Sequence, residues 1–200
     1  MSRAAILRTK DAFGLGAASK RCCKAPMRTL LLAAFVAAPL AAQTSPYEAV
    51  DPMIGTGGEG HTYPGATAPF GMVQLSPDTD TSCVVRECYG HAAGYRYTDP
   101  TIQGFSHTHF SGAGHSDLGD VLVMPVSGDA VAMDPGTPER PGYRSPFSHA
   151  SEVAHPGYYA VTLAGPSVRA EMTAGTRIGV HRYTFPAGRA AHLVLSLIHI

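Results

Sequence analysis

The residues richest in possible chemistry fall in one block, Gly104–Phe105–Ser106–His107–Thr108–His109–Phe110–Ser111–Gly112–Ala113–Gly114, which runs on through His115, Ser116, Asp117, Leu118, Gly119 and Asp120. His107 and His109 stand two apart, the spacing that puts two side chains on one face of a strand. Paired imidazoles suit zinc or copper. No third ligand follows at a spacing typical of a known site, so the plainer reading is polar histidines at the edge of a binding cleft, or histidines satisfied by loop backbone. The stretch Gly57–Gly58–Glu59–Gly60 lacks the Lys-Ser/Thr pair and following helix of a phosphate cradle. It reads as a tight turn or a close backbone approach to a ligand. The local carboxylates are Asp51, Asp78, Asp80, Glu87, Asp99, Asp117 and Asp120. Asp78 and Asp99 read as turn caps that accept backbone N–H groups. Asp117 and Asp120 follow the histidines directly and are candidates to touch a substrate or metal.

Short strands must position these groups. Residues 44–70 carry Pro46, Pro52, Gly55, Gly57, Gly58, Gly60, Pro64, Gly65 and Pro69, a run that cannot hold a helix. The patterns predict strands at Met72–Leu75, Gly94–Tyr97, Val121–Met124, Tyr158–Leu163, around Val168–Met172, from Ile178 into Phe185, and from His192 to Leu195. No segment after the N-terminal region has a helical period. Short strands at near-regular spacing predict an all-β chain, an antiparallel β-sandwich.

Composition agrees, with 22 Gly, 16 Pro and no Trp. Net charge is zero and only 15% of residues are charged, which gives no electrostatic reason to expect nucleic acid or an anionic membrane surface as partner. Arg28, the apolar run Leu30–Ala38, Pro39 and Ala41–Ala42–Gln43 have the order of an export signal. The run is shorter than the roughly 20 apolar residues that span a bilayer. Residues 1–43 are therefore expected to be a leader with its true start at Met27, and 44–200 the exported domain, periplasmic or extracellular. Cys83 and Cys88 are either a disulfide of that compartment or two free thiols. The chain stops at Ile200 within an apolar run, and truncation of the domain is expected.

The strings DPMIGTGGEGHTYPGATAPFGMVQLSPDT and AGYRYTDPTIQGFSHTHFSGAGHSDLGDVLVMP resemble the opening of family 92 glycoside hydrolases, over about residues 47–195. That resemblance implies an exported, calcium-dependent, inverting exo-α-mannosidase acting on N-glycans. It implies an N-terminal β-sandwich packed on an (α/α)6 barrel, with the general acid Glu and general base Asp both in the barrel and the site between the two. No catalytic residue and no metal ligand is then expected in this chain. Its contribution is one wall of a mannose pocket, with Gly57, Gly58, His61, Tyr89, His107, His109, Ser111 and Asp117 as substrate-binding candidates. Many relatives place a Trp shortly before the Gly-Tyr pair; here Glu87–Cys88–Tyr89–Gly90–His91 stands there, so Tyr89 or His91 is the candidate platform. Two other classes remain open: a non-catalytic carbohydrate-binding sandwich, and a histidine-ligated metalloenzyme.

Overall fold

The computed structural model describes residues 45–80, 89–112, 118–137, 139–140 and 142–197. Residues 1–43, expected to be a leader, and Cys83, Glu87, Cys88, His115 and Asp117 lie outside the described residues. All described residues belong to one unit.

Eleven short strands are described: β1 (Ala66–Thr67), β2 (Gln74–Asp78), β3 (Thr101–Ile102), β4 (Gly104–Ser106), β5 (Leu122–Ser127), β6 (Ser145–Pro146), β7 (Val153–His155), β8 (Tyr158–Leu163), β9 (Val168–Ala174), β10 (Gly179–Thr184) and β11 (Ala191–Ser196). They form a five-stranded sheet ordered β1-β2-β4-β5-β11, a four-stranded sheet ordered β10-β9-β8-β7, and the small pair β3-β6. Every pairing is antiparallel. The chain is the predicted antiparallel β-sandwich.

Alternation explains the second sheet. In β8, Tyr159, Val161 and Leu163 face inward, and the register sets them against Met172, Ala170 and Val168 of β9. These side chains meet Leu75, Phe105, Leu122, Met124 and Val194 from the first sheet in one core. Phe105 and Tyr183 touch across the gap, ring centroids 6.3 Å apart. Each such fully buried side chain contributes about 1.5–3 kcal/mol relative to exposure. Strand boundaries moved by a few residues: the Met72–Leu75 expectation became β2, and Val121–Met124 became β5.

Gly94–Tyr97 is not a strand. Gly94 has φ +78°. The backbone N–H groups that a ladder would use go elsewhere: Arg96 N–H to Thr79 Oγ1 at 3.0 Å and Tyr97 N–H to the Thr56 carbonyl at 2.8 Å. The aromatic alternation of this segment serves loop packing instead.

One buried carboxylate ties the loops to the second sheet. Glu152 leads into β7 with its side chain 4% exposed. It accepts from Tyr95 Oη at 2.9 Å, from Tyr159 Oη at 2.5 Å, and faces His149 Nδ1 at 2.6 Å. The other nitrogen of His149 donates to the Tyr97 carbonyl at 2.8 Å, and its ring stacks on Tyr97 at 3.9 Å. Burial, and then the Glu152 charge, push both the Tyr95 and the Tyr159 phenol upward. Glu152→Ala strands two buried hydroxyls and is expected to cost about 3 kcal/mol. The check is the urea midpoint at unchanged m-value, and Glu152→Gln, which keeps an acceptor, is expected to recover most of the loss.

Candidate functional site

Three loop segments meet at one end of the first sheet. The loop at residues 55–61 is pinched by Gly60, where an added Cβ would lie 2.3 Å from the Gly55 carbonyl oxygen. Thr62 N–H donates to the same carbonyl at 3.2 Å, which holds the pinch closed. The second segment begins with a 3-10 turn, Tyr89–His91, and runs to Tyr97, whose N–H reaches the first loop at Thr56. The third follows β4; Gly112 N–H donates to the His61 carbonyl at 2.7 Å, closing the circle. Gly57, Gly58, His61, Tyr89 and Ser111 are thereby gathered.

Their exposure differs. Gly58, Ser111 and Gly57 are exposed, and Tyr89 is 46% exposed. His61 is buried beneath Tyr89, with ring centroids 4.2 Å apart. Its Nε2 meets Glu59 at 3.3 Å, while its Nδ1 is buried without a partner. His91 turns inward to Asp99 Oδ2 at 2.6 Å, a carboxylate that also accepts from Thr79 Oγ1 at 2.6 Å. Burial raises the Asp99 pKa, but the bonds from His91 and Thr79 and the nearby charges outweigh it, and the net shift is downward. Of the two platform candidates, Tyr89 is therefore the one whose ring remains open.

His107 and His109 do not share a face. β4 ends at Ser106, so both lie beyond the strand, and their side chains part. His109 Nδ1 donates to the Gln74 carbonyl at 2.7 Å. Its Nε2 lies 2.9 Å from Asp78 Oδ1, both side chains almost fully buried. Asp78 Oδ2 accepts from Ser106 N–H at 3.1 Å, a bond from the neighbouring strand β4 and not the turn cap expected, because Asp78 ends strand β2. Gly94 packs on this pair so closely that a Cβ there would lie 2.2 Å from Asp78 Oδ1. Ser106 Oγ also lies 3.1 Å from His109 Nε2. Ser, His and Asp are the residue types of a hydrolytic triad, but here Ser and Asp share one imidazole nitrogen and Ser106 is fully buried. A triad needs the carboxylate on the other nitrogen and an accessible hydroxyl, so this cluster is structural.

His107 leaves for the second sheet. Its Nδ1 donates to the Val121 carbonyl at 2.8 Å, and its Nε2 lies 3.2 Å from His181 Nε2 on β10. His181 Nδ1 lies 2.7 Å from Tyr183 Oη. The chain of bonds closes with both rings neutral: Tyr183 O–H donates to His181, His181 N–H donates to His107, and His107 N–H donates to the carbonyl. Sequence spacing linked His107 to His109; the fold links it to a residue on another sheet.

Among the described residues no three His, Cys, Asp or Glu side chains converge as ligands of a metal would. Asp120, the other ambiguous carboxylate, accepts from Thr108 Oγ1 at 3.1 Å and anchors the return of the 107–120 loop.

Burial, and then the neighbouring His107, hold the His181 pKa down from 6.5 to about 4. The unfolded chain takes up this proton near pH 6.5 and the folded chain only near pH 4, so acid favours unfolding across that window. Stability is expected to be fully present above the upper limit and to fall by about 2 kcal/mol on acidification, after discounting for the open side of the ring. Thermal midpoints measured between pH 7 and 4 test this, and His181→Gln is expected to flatten the slope.

Comparison with known proteins places this arrangement. Residues 49–200 match the family described as the glycosyl hydrolase family 92 N-terminal domain. A family GH92 α-mannosidase of Bacteroides thetaiotaomicron, solved with mannoimidazole, is 48% identical with a TM-score of 0.70, over 75% of this chain and 19% of that one. A GH92 inverting mannosidase of the same species is 29% identical with a TM-score of 0.57, over 74% of this chain and 19% of that one. An uncharacterized secreted glycosidase of Arthroderma benhamiae is 30% identical over 142 residues, 70% of this chain and 17% of that protein. The chain spans about a fifth of the length of these relatives. With the sandwich, the loop cluster and these likenesses together, the chain belongs to the N-terminal domain family of family 92 glycosyl hydrolases.

Proposed function

We propose that this chain is the substrate-shaping part of an exported, calcium-dependent, inverting exo-α-mannosidase that acts on the α-mannosides of N-glycans. The observation that carries the reading is the 48% identity, across 75% of the chain, to a solved α-mannosidase. Inversion needs a carboxylic acid and a carboxylate about 6.5–9.5 Å apart with room for a water between them. Both come from the part of such enzymes that lies outside this chain. Calcium, when bound there, supplies a flexible oxygen-accepting centre for sugar hydroxyls.

The loop cluster supplies the rest of the pocket. Tyr89 offers an aromatic face for the apolar side of a sugar ring. Gly57 and Gly58 let backbone approach without side chains in the way, and His61, buried beneath Tyr89, supports that ring from below. His107 and His109 act beneath the surface by holding the loops in place. An apolar leader and a secreted relative in Arthroderma benhamiae support export.

The test is hydrolysis of α-mannosides by the full-length protein, followed by proton NMR. The expected first product is β-mannose, with the rate lost on chelation and restored by calcium, and residues 44–200 alone inactive. Absence of mannoside turnover by the full-length protein would overturn the reading. Tyr89→Ala is expected to lower kcat/KM about fivefold through loss of one stacking contact, chiefly in KM.

A further inference from the structure

A second open ring stands at the loop cluster. Tyr97 is 43% exposed. Its N–H donates to the Thr56 carbonyl, and a Cβ added at Gly57 would lie 3.7 Å from Tyr97 Cβ. Tyr97 therefore adjoins the start of the turn that Gly60 N–H closes onto the Gly57 carbonyl at 3.2 Å. Tyr89 covers His61, the residue just past the end of the same turn. The exposed turn thus has an aromatic ring at each end.

Tyr97 is held more firmly than an exposed side chain needs to be. One face lies flat on His149, with ring centroids 3.9 Å apart and planes 6° from parallel. His149 is itself fixed on three sides. Its Nδ1 faces the buried Glu152 at 2.6 Å, its Nε2 donates to the Tyr97 carbonyl at 2.8 Å, and Phe147 meets it edge-on at 5.2 Å. Loop packing accounts for Tyr95, whose ring is buried and whose hydroxyl bonds Glu152. It does not account for a supported ring that stays open. An aromatic ring fixed in advance loses little side-chain freedom on binding, the property of a good anchor.

The nearby charges are committed elsewhere. Asp99 is taken up by His91 and Thr79, Glu59 leans to His61 at the Tyr89 end, and Arg96 packs against Gly90. Tyr97 therefore offers an apolar face with no adjacent charge left over to select a cation or an anion, which suits the C–H face of a neutral sugar. We propose that Tyr97 is a second substrate-binding ring, which stacks on a sugar of the glycan inward from the terminal mannose. This rests on the reading of the chain as part of an exo-α-mannosidase. Such an enzyme removes the outermost sugar while the rest of the glycan lies outside the cleaving position, and one ring covers one sugar. Two rings flanking a single turn suit two sugars of one chain. Tyr97 then sets the preference for longer glycans and leaves the chemistry of cleavage alone.

Kinetics of the full-length protein on an α-linked mannotriose test this, with inhibition by free mannose, which needs only the terminal position, as internal control. Tyr97→Ala is expected to raise KM for mannotriose about fivefold, with kcat and the inhibition constant of mannose unchanged. Tyr97→Phe keeps the ring and is expected to match the unaltered protein. If Tyr97→Ala does not fold, Tyr97→Leu, which keeps apolar bulk on His149 without an aromatic face, is expected to give the same shift. An unchanged KM overturns the proposal. So does a loss shared by mannotriose and mannose, which means a loop that has lost its packing, or a loss that Tyr97→Phe reproduces, which means a role for the hydroxyl. Calorimetric titration with mannotriose judges the function separately. Binding without cleavage, weakened by Tyr97→Ala and not by Tyr97→Phe, keeps the second ring and removes the mannosidase. Neither binding nor cleavage by the unaltered protein overturns both.

Discussion

The contact on which the loop cluster depends is the buried pair of Asp78 and His109. Three pieces of chain that are far apart in sequence meet on it. β2 provides Asp78 and the Gln74 carbonyl, β4 provides the Ser106 N–H, and the loop before Tyr95 lays Gly94 directly over the carboxylate. Taking such groups out of water is costly, and the cost is offset only when every remaining lone pair and proton finds a partner. Here both histidine nitrogens and both carboxylate oxygens have one. The pair therefore acts less as a source of stability than as a register mark. A loop that does not seat correctly leaves a buried charge unpaired, at about 3–5 kcal/mol.

The neighbouring histidine uses the opposite chemistry. His107 and His181 meet as neutral rings, each fixed from behind by a carbonyl or a phenol. One imidazole of the His-x-His motif thus holds the loops within the first sheet, and the other ties that sheet to β10. The split follows from where β4 stops. Had the strand continued past Ser106, both rings would have faced one way, and neither tie could form.

Legibility of the sequence followed the range of the interactions. The second sheet was readable because Tyr158–Leu163 and Val168–Met172 alternate, and alternation is local. Tyr95 and Tyr97 alternate equally well, yet they lie in a loop, because Gly94 takes a positive φ and the N–H groups serve Thr79 and Thr56. That choice is made by partners some 15 to 40 residues away along the chain. The site was legible as a set of segments and not as a set of roles. Gly57, Gly58, Tyr89 and Ser111 are gathered, while His109 is buried against Asp78 and His107 is held by the Val121 carbonyl and His181. Asp78, Gly94 and His181 carry no local signal of their importance; only the fold makes them neighbours.

The buried acidic groups bear on how labour is divided in such an enzyme. A general acid needs a carboxyl group whose proton is retained near neutral pH and is free to leave. Asp78 and Glu152 are each saturated by donors from at least two elements. Asp99 is bonded to His91 and Thr79 and has its pKa shifted downward, the wrong direction for an acid. These side chains are spent on holding loops. What the described loops leave exposed is a tyrosine face, glycine backbone and the Glu59 carboxylate, with the unpartnered Nδ1 of His61 buried beneath them. Asp78, Asp99 and Glu152 are thereby committed to joining segments of this chain, and none of the three is free to hand a proton to a ligand.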